Sequence, residues 1–259
     1  MAPDKTLLII TGPTAVGKTA LTLALAERLG AEVVSADSLL LYRGMDIGTA
    51  KPTAAERARV PHHLIDIAAP DAPLDVTRYV PLARVAVDDI TARGRAVMVT
   101  GGSGFYLKAF YAPIADAIEP PESVIEEVRT QEARGLSAML ERLRALNPDG
   151  FAGLHTENPR RVARALERCL TTGRSIAELH AEFAAQPGPF ADFRPVIVLL
   201  ERPKDALETR IRRRAETMLA NGLVEEVRHL RAANFEANPS AARAIGYREV
   251  LRHLDGDPD

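Results

Sequence analysis

The chain has 259 residues, of which 46% are hydrophobic, and a formal net charge of −2. This length allows a substantial core in one large domain, or in one domain and a smaller one. The sequence has no apolar run long enough to span a membrane, and the first predicted strand leaves no room for a signal peptide. The single cysteine, Cys169, excludes an internal disulfide and a cysteine-built zinc site. We therefore expect a cytoplasmic monomer without a membrane anchor, in which Cys169 is packed and inert.

Positive charge is concentrated in two segments of the chain. Residues 155–174 hold five arginines against two glutamates, and residues 202–214 hold five arginines and one lysine against two acidic residues. Such clusters are typical of solvated helix faces and also of phosphate-binding surfaces. Charge alone does not separate these two interpretations.

A glycine-rich loop follows the first predicted strand. The apolar run Thr6–Thr11 leads into Gly-Pro-Thr-Ala-Val-Gly-Lys-Thr at Gly12–Thr19, and a helix is predicted over residues 20–29. Strand, loop and helix form the context of the motif G-x-x-x-x-G-K-S/T, whose backbone N–H groups hold a phosphate chain. In this motif the Lys18 amine reaches the terminal phosphates and the Thr19 hydroxyl ligates Mg²⁺. The motif leaves open whether the bound di- or triphosphate is a phosphoryl donor, a switch or a leaving group.

A carboxylate follows the second predicted strand, Glu32–Ser35. Side chains at the carboxyl ends of parallel strands border the crevice in which α/β proteins bind ligands, so Asp37 is expected near the loop's ligand. Asp37 could ligate Mg²⁺, accept a proton from a nucleophile, or close an Asx turn. Farther along, the side chains of His62 and His63 diverge because the residues are adjacent. We favour hydrogen-bonded loop histidines there over a metal site.

A second glycine-rich turn follows the third predicted strand. A helix is predicted over residues 76–93, a strand over residues 95–100, and Gly-Gly-Ser-Gly then occupies residues 101–104. A parallel sheet would place this turn beside the phosphate-binding loop. Ser103 could cap the next helix or form a hydrogen bond with a phosphate. The sequence lacks the G-x-S-x-G elbow of serine hydrolases.

The middle of the chain has helical patterns and no convincing strand. Four helices are predicted at residues 123–134, 136–146, 159–170 and 175–185, followed by a strand of buried character at residues 195–200. Three more helices are predicted at residues 204–221, 224–233 and 240–254. The alternation of strands and helices predicts an α/β fold, a P-loop NTPase-like parallel sheet with helices on both faces. We divide the chain into a core, residues 1–114 and 194–259, and a helical insertion, residues 115–193.

Six blocks of the sequence form a pattern known from one family. They are Gly12–Thr19, Asp37–Pro52, Pro61–Asp66, Gly101–Tyr106, Asn158–Glu167 and Arg243–Glu249. In kind and order they resemble the tRNA dimethylallyltransferase (tRNA isopentenyltransferase) family. The resemblance extends from about residue 6 to residue 252. Its Asp-Ser…Ile-Gly-Thr-Ala-Lys-Pro block is very specific, whereas the glycine loop alone is not.

The resemblance implies transfer of a dimethylallyl group from dimethylallyl diphosphate to N6 of the adenosine just 3′ of the anticodon in tRNA. Diphosphate is the leaving group, held with Mg²⁺ by Gly12, Pro13, Thr14, Ala15, Val16, Gly17, Lys18 and Thr19. The adenine amine is a poor nucleophile, and the family match makes Asp37 the base that accepts its proton. With Arg210 and Arg214, four residues apart on one helix face, the expected catalytic set is Lys18, Asp37, Ser103, Arg210 and Arg214.

The same resemblance implies contacts with the tRNA anticodon stem-loop. The target base lies in a single-stranded loop, so the free-energy cost of unstacking it is low. The arginines of the insertion are candidates for contacts with tRNA phosphates. The expected tRNA-binding residues are Asp37, Ser38, Leu39, Leu40, Ser103, Arg160, Arg161, Val162, Ala163, Arg164, Arg243, Ala244, Ile245, Gly246, Tyr247 and Arg248.

The sequence departs from the family's pattern in three places. Ser103 stands where the family usually has threonine, and the hydroxyl is retained. Val124 aligns with an arginine that contacts tRNA in the family, so we do not expect that contact here. The family usually continues into a basic C-terminal helix, which this sequence does not contain.

Three other functions remain open on the sequence alone. An adenylate isopentenyltransferase would use AMP, ADP or ATP as acceptor, and it would not need the insertion as a second docking surface. A P-loop nucleotide kinase would transfer the γ-phosphate of ATP and would not react with dimethylallyl diphosphate. An inactive RNA-binding homologue would bind anticodon stem-loops with steep salt dependence and give no turnover.

Overall fold

The structure, a computed structural model, describes residues 5–114 and 118–257. In this part of the chain five strands form one sheet: β1 Thr6–Thr11, β2 Ala31–Ser35, β3 His62–His63, β4 Ala96–Thr100 and β5 Arg194–Leu199. Their order across the sheet is β3-β2-β4-β1-β5, and every neighbouring pair is parallel. The α/β class predicted from the sequence is confirmed.

Twelve α-helices accompany the strands in the described residues. Those of the sheet-containing part are α1 Lys18–Leu29, α2 Ala54–Arg59, α3 Val76–Ala92, α4 Gly104–Lys108, α9 Lys204–Ala220, α10 Leu223–Ala232, α11 Pro239–Ala242 and α12 Tyr247–Leu254. The middle of the chain contributes α5 Glu122–Arg134, α6 Leu136–Leu146, α7 Pro159–Thr172 and α8 Ile176–Ala185. No described helix combines the length and the apolar character that crossing a membrane requires.

Helices cover both faces of the sheet. Successive side chains of a strand point to opposite faces, so an apolar run such as β1 needs a core on each side. Ile9 belongs to the cluster that includes Tyr79 of α3, whereas Ile10 belongs to the cluster that includes Leu23 of α1. The alternation in β1 therefore separates two cores, one under α3 and one under α1.

The register of the central strands brings three turns together. Thr100 at the end of β4 is aligned with Ile10 of β1 on one side and with Ser35 of β2 on the other. Because these parallel strands end at the same edge, the segments that follow them lie side by side. Those segments are the loop Gly12–Thr19, the turn at Asp37 and the glycine-rich turn 101–104, as the sequence predicted.

The structure differs from the predicted elements in three places. Strand β3 was predicted as a loop, but His62 and His63 pair with Val33 and Val34 of β2. Strand β5 was predicted to be buried, but it lies at the sheet edge, where Leu199 is 60% exposed. The last predicted helix, residues 240–254, is divided into α11 and α12, because Gly246 has a φ of 92°, outside the helical range.

The chain forms two compact units, residues 1–114 with 188–259 and residues 115–187. The predicted insertion extended to residue 193, but Phe190 and Phe193 pack in the core of the sheet-containing unit. The described residues of the second unit form helices and no strand. Its core includes Val128, Leu166 and Cys169, and burial raises the pKa of the Cys169 thiol.

The turn after β4 depends on a glycine. A Cβ added to Gly101 would lie 2.1 Å from the carbonyl oxygen of Ala36, so the backbones of the two turns touch directly. We expect Gly101→Ala to lower the free energy of unfolding by about 1–3 kcal/mol, the usual cost of overpacking. Urea denaturation measures this change. Gly102→Ala is the matched control, because its Cβ would meet only the Lys18 amine, at 3.9 Å; equal stability of the two variants would contradict the prediction.

Candidate active site

The loop between β1 and α1 has the backbone of a phosphate cradle. Gly12 and Gly17 have φ values of 147° and 114°, which favour glycine, and Ala15 is also left-handed at 59°. Helix α1 has no side-chain cap at its N-terminus. The N–H groups of its first turn therefore remain available to an anion, and the helix dipole favours negative charge there.

The Lys18 amine lies over this loop. Its Nζ donates to the carbonyl oxygens of Gly12 and Pro13, both at 2.9 Å. Burial lowers the pKa of Lys18, the Asp37 carboxylate opposes that shift, and the nearby Arg214 guanidinium adds to it. The three charged groups therefore belong to one electrostatic neighbourhood.

Asp37 follows β2 and borders the same space. Its Oδ1 accepts a hydrogen bond from the Leu39 N–H at 3.0 Å, which is the Asx turn considered from the sequence. Among the described residues, no hydrogen bond is made to Oδ2. The turn therefore uses one carboxylate oxygen and leaves the other to accept a proton or a ligand.

Ser103 links the turns after β2 and β4. Its Oγ accepts the Ser38 N–H at 3.0 Å and shares a hydrogen bond with the Ser38 Oγ at 3.1 Å. Ser103 occupies the N-cap position of α4 but makes no side-chain cap bond. The capping role considered from the sequence is therefore wrong, and the hydroxyl holds the Ser38 turn.

These groups line one cavity of about 370 Å³. We refer to it as the inner cavity. Residues from the phosphate-binding loop, from the turn after β2 and from the turn after β4 all contribute to its wall. The predicted site residues on that wall include Lys18, Thr19, Asp37, Leu40, Ser103 and Arg214.

A larger cavity of about 940 Å³, the outer cavity, lies next to the inner one. Lys18, Thr19 and Arg214 line both, so the two cavities meet at the end of the phosphate-binding loop. Arg214 donates from Nη2 to the Thr49 carbonyl at 3.1 Å. Burial lowers the pKa of the Arg214 guanidinium, and the Asp37 carboxylate opposes that shift.

Arg210 occupies a different position from Arg214. It lines only the outer cavity, and its Nε donates to the Ala15 carbonyl at 2.7 Å. Arg210 and Arg214 of α9 therefore both reach the loop region, as their spacing predicted. The geometry fits Arg210 as a support for the loop, and its contact with reacting atoms remains a prediction.

The residues around Thr19 fit a magnesium ion. Thr19 lines both cavities and Ser35 lines the inner one, and within the described residues the buried Ser35 Oγ has no hydrogen-bond partner. Hydroxyl, carboxylate and phosphate oxygens are the ligands that Mg²⁺ prefers. The described residues contain no group of three or more His, Cys, Asp or Glu side chains arranged to hold a metal. Such an ion would therefore depend on substrate phosphates and water for most of its ligands.

The histidine pair is hydrogen-bonded, in agreement with the favoured interpretation. The His62 Nδ1 is 2.7 Å from the Val60 carbonyl oxygen, and the His63 Nε2 is 2.7 Å from a carboxylate oxygen of Glu32. The two rings therefore serve different partners. Burial lowers the pKa of His62, which also lines the inner cavity.

The predicted tRNA contacts fall into exposed and buried sets. Arg160, Arg161 and Arg164 are exposed on α7. Val162 and Ala163 pack in the core of the second unit, because the helix turns their side chains inward. Contact of Val162 and Ala163 with RNA would therefore have to use their backbone, and it remains a prediction. Val124, which replaces the family's arginine, packs against the same core.

The second predicted segment shows the same division. Arg243 and Arg248 are exposed, and Ile245 is 85% exposed. Tyr247 is fully buried, and its hydroxyl donates to Glu226 at 2.7 Å. The Tyr247 side chain is therefore a packing group, and the contact of this residue with RNA remains a prediction.

Some residues on the wall of the inner cavity were not predicted from the sequence. They include Ser35, Thr22, Thr100 and His62. Ser35 and Thr100 end β2 and β4, so the rule that pointed to Asp37 could have identified both. Predicting Thr22 would have required the orientation of α1, and predicting His62 would have required strand β3. The sequence pattern gave neither.

Proteins similar to this chain come from one family. The family model for IPP transferase matches residues 40–259. A tRNA dimethylallyltransferase of Opitutus terrae is 56% identical over 250 residues, which cover 96% of this chain and 80% of the relative. Another, from Salinispora tropica, is 44% identical over 256 residues, which cover 97% of this chain and 77% of the relative.

Solved structures agree with these sequences. The full-length tRNA isopentenylpyrophosphate transferase of Bacillus halodurans is 37% identical with a TM-score of 0.66. The match covers 98% of this chain and 78% of the Bacillus halodurans chain. A eukaryotic dimethylallyltransferase, described as acting on tRNA, is 25% identical with a TM-score of 0.83, covering 97% of this chain and 64% of its own. The chain belongs to the IPP transferase family, that of the tRNA dimethylallyltransferases.

Proposed function

We propose that this protein transfers the dimethylallyl group of dimethylallyl diphosphate to N6 of the adenosine 3′-adjacent to the anticodon in tRNA. One observation supports this proposal above the others. The Asp37 carboxylate and the phosphate-binding loop line the same cavity of about 370 Å³. A base and a diphosphate cradle on one wall are what an alkyl transfer from a diphosphate ester requires.

In the proposed step, the N6 nitrogen forms a bond to C1 of the dimethylallyl group. The bond between C1 and the diphosphate oxygen breaks, and its electron pair leaves with the diphosphate. The N6 proton passes to Oδ2 of Asp37, the oxygen that the Asx turn does not use. The nucleophile therefore loses its proton as the new bond forms.

Positive charge then stabilises the leaving group. Lys18 and Arg214 line the inner cavity, and together with the loop amides they would stabilise the negative charge that develops on the diphosphate. A magnesium ion held by the Thr19 hydroxyl and the substrate phosphates would neutralise part of that charge. Ser103 contributes by holding the turn that contains Ser38.

The acceptor is proposed from the relatives' names and from surface charge. The relatives are tRNA dimethylallyltransferases, and this chain presents Arg160, Arg161 and Arg164 on the exposed side of α7. Arg243 and Arg248 are also exposed, at the break between α11 and α12. Arginines of this kind contact phosphates and position an RNA without reading its sequence.

The double variant Arg161→Glu/Arg164→Glu should bind tRNA more weakly. Each lost phosphate contact is expected to reduce the slope of log K against log salt by about one, so the double variant should lose roughly two. Filter binding across a salt series measures this slope. Arg129→Glu/Arg134→Glu, two exposed residues of α5 in the same unit, is the control. Equal losses in the two double variants would contradict a specific role for α7.

The transfer assay that tests the proposal compares two acceptors. The protein is incubated with labelled dimethylallyl diphosphate and Mg²⁺, and with either unmodified tRNA or AMP. We expect label on N6 of the adenosine next to the anticodon and none on AMP. Label on AMP alone would favour an adenylate isopentenyltransferase, and phosphate transfer from ATP would favour a kinase. Tight tRNA binding without any transfer would favour an inactive RNA-binding homologue.

A further inference from the structure

The carboxylate of Glu226 holds a loop of the site although Glu226 itself lines neither cavity. Its Oε2 accepts the N–H groups of Asp46 at 3.0 Å and Ile47 at 2.6 Å. Its Oε1 accepts the N–H of Gly48 at 3.1 Å and the hydroxyl of Tyr247 at 2.7 Å. In the described part of the chain Glu226 forms no salt bridge. Four N–H and O–H donors therefore balance its charge, and three of them belong to consecutive residues of one loop.

The backbone of this loop is held tightly against its neighbours. A Cβ added to Gly48 would lie 2.6 Å from ring atoms of Tyr247, which is fully buried. The Lys51 amine donates to the Asp46 carboxylate at 2.6 Å, and the Lys51 N–H donates to the Asp46 carbonyl at 2.9 Å. Residues 46–51 therefore have a fixed conformation, and Glu226 connects that conformation to α10.

The far end of the loop reaches the active site. Thr49, Ala50 and Pro52 line the inner cavity, and Ala50 and Pro52 also line the outer one. The Thr49 carbonyl accepts the hydrogen bond from Arg214, which lies beside Lys18 on the wall of both cavities. Glu226 lines neither cavity, so any influence on the reaction must pass through the loop.

We propose that Glu226 is a positioning residue for the transfer reaction. Its carboxylate fixes residues 46–49 so that the Thr49 carbonyl holds the Arg214 guanidinium at the phosphate-binding loop before the diphosphate arrives. This proposal rests on the proposed function, because Arg214 is assigned there to the leaving group. A small displacement of a charged group at a reacting centre can lower the rate about 100-fold. A residue outside the cavities, such as Glu226, can therefore affect the transfer rate by fixing the position of Arg214.

Glu226→Gln is the direct test. A glutamine keeps the shape but has one oxygen in place of two, and its NH₂ group faces N–H donors. We expect kcat/KM for dimethylallyl diphosphate to fall by roughly 10- to 100-fold while KM for tRNA is unchanged. Glu225→Gln is the matched control on the same helix, because Glu225 is exposed and, among the described residues, pairs with Arg228. Equal kinetics for wild type and Glu226→Gln would overturn the proposal.

A double-mutant cycle separates positioning from general stability. If Glu226 acts through Arg214, the double variant Glu226→Gln/Arg214→Ala should be no slower than Arg214→Ala alone. If the rate losses of the two single variants multiply in the double variant, the proposal is overturned. If Glu226→Gln fails to fold, Tyr247→Phe takes its place in the cycle, because it removes one hydrogen bond to Glu226 and retains the ring. Tyr247→Phe should slow transfer in the same direction by a smaller factor, and no change would overturn the proposal.

A binding experiment keeps this proposal distinct from the proposed function. If the wild-type protein fails to transfer dimethylallyl to tRNA, the proposed function is contradicted. The positioning role of Glu226 can still be tested by titration with magnesium pyrophosphate. In that titration we expect Glu226→Gln to bind about 10-fold more weakly than wild type and Glu225→Gln to match wild type. Equal pyrophosphate affinity for all three proteins would overturn the positioning role whether or not transfer occurs.

Discussion

Asp37→Asn is expected to lower kcat for dimethylallyl transfer by about 10²- to 10⁴-fold, the contribution typical of a positioned general base. An asparagine retains the oxygen that accepts the Leu39 N–H, so the Asx turn survives the substitution. The other carboxylate oxygen is replaced by an NH₂ group, which cannot take the proton from N6. The variant therefore loses proton transfer and keeps the shape of the cavity.

Single-turnover kinetics with labelled dimethylallyl diphosphate and tRNA measure this effect without interference from product release. Titration with magnesium pyrophosphate should give the same affinity as wild type, because the phosphate-binding loop is unchanged. Asp71→Asn, an exposed carboxylate that lines neither cavity, is the matched control. A normal rate for Asp37→Asn would remove the general-base role from the account.

Lys18→Met should lower kcat/KM for dimethylallyl diphosphate by about 10²- to 10³-fold, the range for losing one preorganised electrostatic group. Without a phosphate, the Lys18 amine donates to the carbonyl oxygens of Gly12 and Pro13. A bound diphosphate would offer it negatively charged acceptors in place of neutral ones, and such bonds are stronger. The amine thus stabilises the charge that develops as the C–O bond breaks.

The same variant should also bind magnesium pyrophosphate more weakly, and its affinity for tRNA should not change. Lys204→Met is the control, since the Lys204 side chain is 91% exposed and lines neither cavity. Isothermal titration and initial-rate kinetics provide both quantities. A lower tRNA affinity with unchanged kcat/KM for dimethylallyl diphosphate would place Lys18 on the RNA-binding surface and contradict its assignment to the leaving group.

Much of the fold could be predicted because its signals are local. The apolar runs of β1, β2 and β4 are separated along the chain by helical segments, which indicates parallel strands with covered faces. Helix α6 is observed at Leu136–Leu146, as predicted, because Gly135 and Asn147 mark both ends. Strand β3 was missed because two residues give no periodic pattern, and its pairing with β2 depends on contacts distant in sequence.

Burial was predicted less well than secondary structure. The apolar run of β5 suggested a buried strand, but a strand at the edge of a sheet is paired on one side only, and its exposure depends on what packs there. Val162 and Tyr247 lie within blocks of the family pattern, which suggested contact with RNA. Their burial shows that such a block also includes residues that pack in the core.

The centre of the site could be predicted because the loop Gly12–Thr19 and Asp37 both follow parallel strands. The sheet register then places them at one edge, beside the Ser103 turn. The role of Glu226 could not be predicted in this way. Three of its four partners are backbone N–H groups about 180 residues away, and every non-proline residue has such a group, so the sequence does not distinguish them.

A crystal structure with a thio analogue of dimethylallyl diphosphate, Mg²⁺ and an unmodified anticodon stem-loop tests the central claim most directly. The analogue resists cleavage, so the acceptor and donor can be seen together. We expect the diphosphate on the backbone amides of Gly12–Thr19 and the adenine N6 at about 3 Å from the Asp37 carboxylate. A diphosphate bound away from the loop, or an adenine amine facing a group other than Asp37, would contradict it.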